Sequence, residues 1–322
     1  MAYPVIDLHC DLLSFLSEHS QPDAPFRKES RTSLPQLKEG GVALQTLALF
    51  TETKKGSRAS FERQLKCYEE LFSRHSDRVA PFVGGLETGK INTLLAVENA
   101  SGLLEEGEPF ALLFDRIEQF LSTAGSLLYI SLTWKTENRF GGGDSSKTGL
   151  KREGEILLEY LSSKGIAIDL SHASDLLAHD IFDYIEKKGL SLIPLASHSN
   201  FRALCNVPRN LPDLFAKEII QKKGLLGINF VRHFVGAKGS DLFKMIDYGI
   251  SIGGEKALAF GADFFGGLTL SSSYLEPFFF PEYEDASCYP KFLHQLEELK
   301  EKKAIQRIAF QNVLDFLEFT EH

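Results

Sequence analysis

Six side chains able to bind a metal ion or carry a proton stand where short apolar runs of this 322-residue sequence end. His9 and Asp11 lie in VIDLHCD, Glu98 in LLAVENA, His172 in IDLSHAS, His198 in ASHSN and Asp263 in FGADFF. Imidazoles and carboxylates together are the ligand set of zinc, manganese or iron(II). The four cysteines (Cys10, Cys67, Cys205, Cys288) form no CxxC, so the pattern points to a catalytic site rather than to thiolate-bound structural zinc or a disulfide framework. A carboxylate such as Glu98 can bridge two ions, and two ions so held can acidify one water to a hydroxide nucleophile near neutral pH.

Each residue alone has an ordinary alternative. An HxD at a strand end arises by chance, a loop glutamate such as Glu98 is usually solvated, His172 and His198 could be satisfied rim histidines, and Asp263 could cap a helix. Taken together they need a separate excuse for each arrival at one rim, and a metal site explains all of them. Of the other histidines, His75, His179, His294 and His322 fall in helical patterns or the tail, and His19 in a loop. His233, in FVRHF, is the one whose position lets it reach the same pocket.

The elements that must position these groups are eight short runs: Tyr3–Leu8, Val42–Phe50, Asn92–Val97, Leu127–Thr133, Ile166–Leu170, Ser191–Ser197, Leu225–Phe230 and Ala257–Ala262. They are nearly continuous in apolar residues, as parallel strands buried on both faces must be. Between them lie amphipathic patterns over Ser60–His75, Asp115–Ala124, Glu153–Lys164, Ser174–Lys188, Pro212–Lys223 and Asp241–Ile252. Eight alternations predict an α/β fold, a (β/α)8 TIM barrel forming one domain over residues 1–322. Long loops would follow the strands at Glu52–Gly85, Lys135–Arg152 and Leu268–Pro290, and an extra C-terminal helix, Pro290–Phe319, would pack outside. Barrel enzymes build their sites from the C-terminal ends of the strands, which is where the six groups fall.

Hydrophobic residues make up 43% of the chain, enough for one large core. The net charge of −9 argues against nucleic acid or an anionic membrane as partner. The start MAYPVIDLHCDLL shows no basic leader, no segment has bilayer-spanning apolar length, and the tail FLEFTEH is too short and polar for a lipid-anchor signal. The expectation is a cytoplasmic enzyme acting on a small molecule.

With these motifs in view, the sequence resembles the membrane dipeptidase (renal dipeptidase) family of binuclear zinc peptidases, within the amidohydrolase-like barrels. The resemblance runs through VIDLHCD, LLAVENA, YISLTW, IDLSHAS, ASHSNFRALCNVPRNLPD, GINF and FGADFFGG, nearly the whole chain. Its most specific parts are DLSH and the spaced SHS, PRN and PD. It implies two divalent ions, expected to be Zn2+, with His9 and Asp11 on one, His172 and His198 on the other, and Glu98 between them. It also implies Asp263 as the acid/base that passes a proton from the bridging hydroxide to the leaving amine. Arg209, in PRN, would hold the carboxylate of a dipeptide or related amide with its planar fork; its ordinary alternative is an ion pair with Asp213. The family further suggests a homodimer.

Three positions depart from the pattern. Where the family has a histidine that donates to the scissile carbonyl, this chain has Trp134, in SLTWK. An indole N–H donates one hydrogen bond and carries no charge, and losing such a donor typically costs about two to three powers of ten in turnover. The usual DFDG is Asp263-Phe264-Phe265-Gly266, and VENAS lacks the usual glycines. Three readings stay open: a dipeptidase in which the indole, His233 or Arg232 replaces the missing donor; an amidohydrolase acting on another carboxylate-bearing amide; and a catalytically weak metal-binding member. Retention of Asp263 and Arg209 weighs against the last, because binding alone needs no proton shuttle.

Overall fold

The computed structural model describes residues 3–124, 127–267 and 276–320. Among the described residues nine strands all run parallel: β1 (Val5–Cys10), β2 (Val42–Phe50), β3 (Val79–Pro81), β4 (Ile91–Glu98), β5 (Leu127–Ser131), β6 (Ala167–Asp169), β7 (Pro194–Leu195), β8 (Leu226–Ile228) and β9 (Leu258–Phe260). Eight follow the order β7-β6-β5-β4-β2-β1-β9-β8. The ring closes between β7 and β8, where the Ala196 N–H donates to the Leu225 carbonyl and the Gly227 N–H to the Ala196 carbonyl, each at 2.8 Å. This is the expected closed barrel. The extra strand, β3, pairs with the N-terminal half of β4, from Val79 opposite Ile91 to Pro81 opposite Thr93, while β5 takes the C-terminal half. Three residues are too few to reveal a strand by periodicity.

The helices are α1 (Leu12–Glu18), α2 (Leu34–Glu39), α3 (Ser57–His75), α4 (Leu112–Ala124), α5 (Arg152–Lys164), α6 (Asp175–Lys188), α7 (Asp213–Gln221), α8 (Arg232–Val235), α9 (Asp241–Ser251), α10 (Tyr289–Glu297), α11 (Lys302–Gln306) and α12 (Asn312–Thr320). The stretch expected as one terminal helix is therefore broken, with Leu299 and Lys300 both turning their N–H groups back to the Leu296 carbonyl. The break lets α12 close the N-terminal mouth of the barrel. Val313, Phe316 and Leu317 pack with Ile6, Leu8, Leu44, Leu94 and Leu195, and the Asn312 amide donates to the carbonyls of Glu255 and Leu258. Part of the loop expected at Leu268–Pro290, and His322, lie outside the described residues. Among the described residues no helix is long and apolar enough to cross a membrane.

Two features set the C-terminal mouth. The register of β1 shifts between Asp7 and Cys10, a bulge that re-aims His9 and Asp11. Gly227 and Gly261 press against the Ser197 carbonyl so closely that a Cβ on either would lie 1.8 Å from its oxygen. Alanine at 227 would push out the backbone carrying His198. Gly227→Ala should cost about 1–3 kcal/mol of stability, read by denaturant unfolding, and should weaken metal retention as well.

The loop after β4 is clamped by Arg116, whose guanidinium forks onto Glu108 at 2.6 and 2.7 Å and also donates to the Leu103 carbonyl. The Arg116 hydrogen bond holds the Glu108 carboxyl down at about 2, below its ordinary 4.5. A carboxyl lowered by folding stabilises above its unfolded pKa and loses that contribution as pH falls through the folded value. For this partly exposed pair the effect is about 0.5–1 kcal/mol. Stability measured from pH 5 down to 2 should fall less steeply in Glu108→Gln than in the parent.

Candidate metal centre

Glu98, at the end of β4, is buried and meets three imidazoles. Its Oε2 lies 3.1 Å from His9 Nε2, and its Oε1 lies 3.0 Å from His172 Nε2 and 3.6 Å from His198 Nε2. The Nε2 atoms of His9 and His198, together with Asp11 Oδ1, are buried without a hydrogen-bond partner. Close approach without hydrogen-bond geometry is what donors turned towards a common cation show. Nitrogen and oxygen atoms each ~2.0–2.2 Å from one zinc ion at tetrahedral angles lie roughly 3.3–3.6 Å apart.

Each imidazole is oriented through its other nitrogen. The Tyr129 hydroxyl donates to the Leu8 carbonyl and so accepts from His9 Nδ1, 2.7 Å away. His172 Nδ1 donates to Asp144 Oδ2 at 2.8 Å. His198 Nδ1 donates at 2.6 Å to Ser197 Oγ, whose proton goes to Asp169 Oδ2 at 2.8 Å. With every Nδ1 committed, the Nε2 atoms are the ones brought to Glu98, the arrangement outer-sphere partners impose on metal-binding histidines. The rings of His9 and His198 stack at 3.7 Å.

Electrostatics fit the same reading. Burial opposes a charge on His9, yet the carboxylates of Glu98, Asp11 and Asp263 raise its pKa to about 10. Burial, then the charges of His9 and Arg209, hold His198 well below its ordinary value, in the neutral form a ligand needs. Three buried carboxylates in one mouth call for positive charge, and divalent cations would supply it. Two trios of ligand atoms, each within 4.8 Å of one another, share Glu98: His9 with Asp11, and His172 with His198. These are the two sets expected from the sequence. A third trio joins His9, His198 and Asp263.

Asp263 sits just beyond β9, with its main-chain N–H 3.3 Å from the His9 carbonyl. Its Oδ2 accepts from Asn229 Nδ2 at 2.8 Å, and its Oδ1 lies 3.7 Å from His9 Nε2. Burial pushes its carboxyl up to about 6; the charge on His9 opposes this and that on Glu98 adds to it. Both Asp263 and His172 adopt positive φ, 62° and 67°, a backbone state costly for residues with a Cβ and concentrated at functional sites.

Arg209 does not pair with Asp213, which instead accepts from the Tyr248 hydroxyl. Its guanidinium donates to His172 Nε2 (3.2 Å), Ser199 Oγ (2.6 Å) and the His198 carbonyl (3.0 Å). Trp134 lies with its ring 6.1 Å from that of His172 and 5.0 Å from that of Phe50. His233 is on α8, its ring edge-on to Phe234, over which the Arg209 guanidinium sits. Sequence reasoning passed over Asp144, Tyr129, Asp169 and Asn229. Their signal was a lone polar group within or just after an apolar strand, and, for Asp144, the glycines of RFGGGD that carry it inward.

A closed parallel barrel that gathers three imidazoles and three carboxylates at the C-terminal ends of its strands defines a metal-dependent barrel hydrolase. Residues 1–322 match the family model for membrane dipeptidase, peptidase family M19. The chain belongs to that family. Among its relatives, an uncharacterised protein of the pqqA 5' region of Klebsiella pneumoniae is 30% identical over 231 residues, 65% of this chain and 79% of that one. Dipeptidase 3 of Macaca fascicularis is 26% identical over 97% of this chain and 64% of its own length. A Rhodobacter sphaeroides metallopeptidase, solved with a phosphinate mimic of L-Ala-D-Ala, superposes with a TM-score of 0.83 at 17% identity, over 99% of this chain and 100% of that one.

Removing an orienting partner without touching a ligand tests the centre. Asp144→Asn keeps the shape but loses the acceptor charge, and should weaken retention of the cation held at His172 by about 10–100-fold. Metal content after dialysis against a graded chelator checks this, with His198→Ala as the variant in which retention fails outright.

Proposed function

We propose that the chain, acting as one catalytic unit over residues 1–322, cleaves the amide bond of dipeptides. His9 and Asp11 hold one divalent cation, His172 and His198 a second, and Glu98 both, with zinc the metal this donor set favours. The observation that carries the reading is the convergence of three imidazole Nε2 atoms on Glu98, each with its Nδ1 already committed. When bound, the cations supply an acidified water and a Lewis acid for the scissile carbonyl.

The remaining work falls to the chain's own residues. Asn229 fixes one oxygen of Asp263 and leaves the other facing His9. A carboxyl raised to about 6 suits a group that takes a proton from water and hands it to the leaving amine near neutral pH. Arg209 has five N–H groups; two donate to Ser199 Oγ and the His198 carbonyl, and the one that meets His172 Nε2 is released when that nitrogen holds a cation, which leaves three for the substrate's carboxylate. Trp134 walls the site beside His172 and offers its indole N–H to the carbonyl, with His233 on α8 as the other donor. Because Trp134 stands where the family's charged donor does, an amide other than a dipeptide is the second reading.

The test is a hydrolysis screen of metal-reconstituted protein against dipeptides of both configurations and related carboxylate-bearing amides. Dipeptides should be cleaved, and Asp263→Asn should lower kcat by about 10²–10⁴-fold with metal content unchanged. A fully metal-loaded protein that cleaves no dipeptide sinks the first reading, and cleavage of the amides alone establishes the second.

A further inference from the structure

Beside His172 two chains of contacts line the rim, drawn from the loop after β5, the loop before α7 and α8. Arg209 donates to His172 Nε2, and its guanidinium carbon lies 5.6 Å from the centre of the Phe234 ring. Phe234 meets His233 edge-on at 5.4 Å. The His233 imidazole is held below its ordinary value by burial and then by the charge of Lys135. Lys135 Nζ lies 4.7 Å from the centre of the Trp134 ring, and Trp134 returns to His172 at 6.1 Å. The collar therefore carries a guanidinium and an ammonium. Asp144 is the carboxylate beside it, bonded to His172 and 3.9 Å from Arg209 Nε.

An ordinary dipeptide offers one carboxylate and one ammonium group. Its carboxylate is accounted for by Arg209, and a second cation in the same collar repels the ammonium rather than binding it. The two cations match a residue with two carboxylates, one on its backbone and one on its side chain. Contact with the indole face stations the ammonium of the half-buried Lys135 there, and partial burial of the side chain strengthens its pull on an anion.

We propose that Lys135, stationed over Trp134, is a specificity-determining residue that selects dipeptides whose carboxy-terminal residue is aspartate or glutamate. This rests on the dipeptidase reading above and extends it to a substrate class. Trp134 then has a use that a histidine could not serve, because a second cation at that position would repel the ammonium it now holds.

The experiment compares kcat/KM for metal-loaded enzyme on dipeptide pairs that differ only in carboxy-terminal aspartate or asparagine, in both configurations of that residue. The parent should prefer aspartate by about tenfold or more, as a charge-assisted contact gives. Lys135→Gln should bring the ratio to within about twofold, Lys135→Arg should keep it, and Lys135→Glu should reverse it. A parent ratio below about twofold, or a preference that survives in Lys135→Gln, overturns the proposal. If no dipeptide is cleaved at all, the dipeptidase reading fails by itself, and the collar is tested by calorimetric titration of free aspartate against free asparagine. Tighter binding of aspartate that disappears in Lys135→Gln upholds the collar's role, and equal binding of the two overturns it.

Discussion

One carboxylate facing three imidazoles is the constraint on which the mouth of this barrel depends. Glu98 is buried, and so are the nitrogens it meets. A buried charge cluster is tolerated only when its geometry is fixed and its remaining polar atoms are satisfied. The chain meets that requirement one layer out. Tyr129, Asp144 and the Ser197–Asp169 pair each occupy the far side of an imidazole. These groups come from β5, the loop before α5, and the ends of β6 and β7, so the rigidity of the site is that of the barrel itself.

The same strand ends share a local device. At Asp7, Asn99, Asp169 and Asn229 the side-chain oxygen accepts the backbone N–H two residues ahead. Such turns compete with the sheet ladder for backbone donors. They account for how short the ladders of β6 and β8 are, and they release the chain just where a ligand or positioning residue is needed. Asn99 and His172 take positive φ in two of these segments, and Asp263 does so just past β9. Asp169 shows how far one such group reaches, receiving two backbone N–H groups and the hydroxyls of Ser131 and Ser197.

Much of this was legible in the sequence, because barrel strands are apolar runs and polar residues at their ends stand out. His9, Asp11, Glu98, His172 and His198 all come together as their positions implied. The strand β3 was not legible, since three residues carry no period. Nor was the break between α10 and α11, because a helical hydrophobic pattern continues across it. The orienting groups were hidden for a different reason. Tyr129 and Asn229 lie in or just beyond strands and read as ordinary residues, and only the closed barrel brings Tyr129 to a histidine 120 positions away. Arg209 was singled out through its PRN motif, but its bond to His172 was not legible.

The hydroxyl of Tyr289, on α10, bonds the buried carboxylate of Asp7 across a separation of 282 residues. Asp7 also receives the N–H groups of His9 and Ala262, and α12 closes the opposite end of the barrel. During synthesis from the N-terminus the first ligands therefore emerge long before the residues that fix them, and loop closure over so many residues comes late. Assembly of the centre is a property of the finished chain: a ribosome-bound fragment ending at β9 would carry every ligand and lack both clamps.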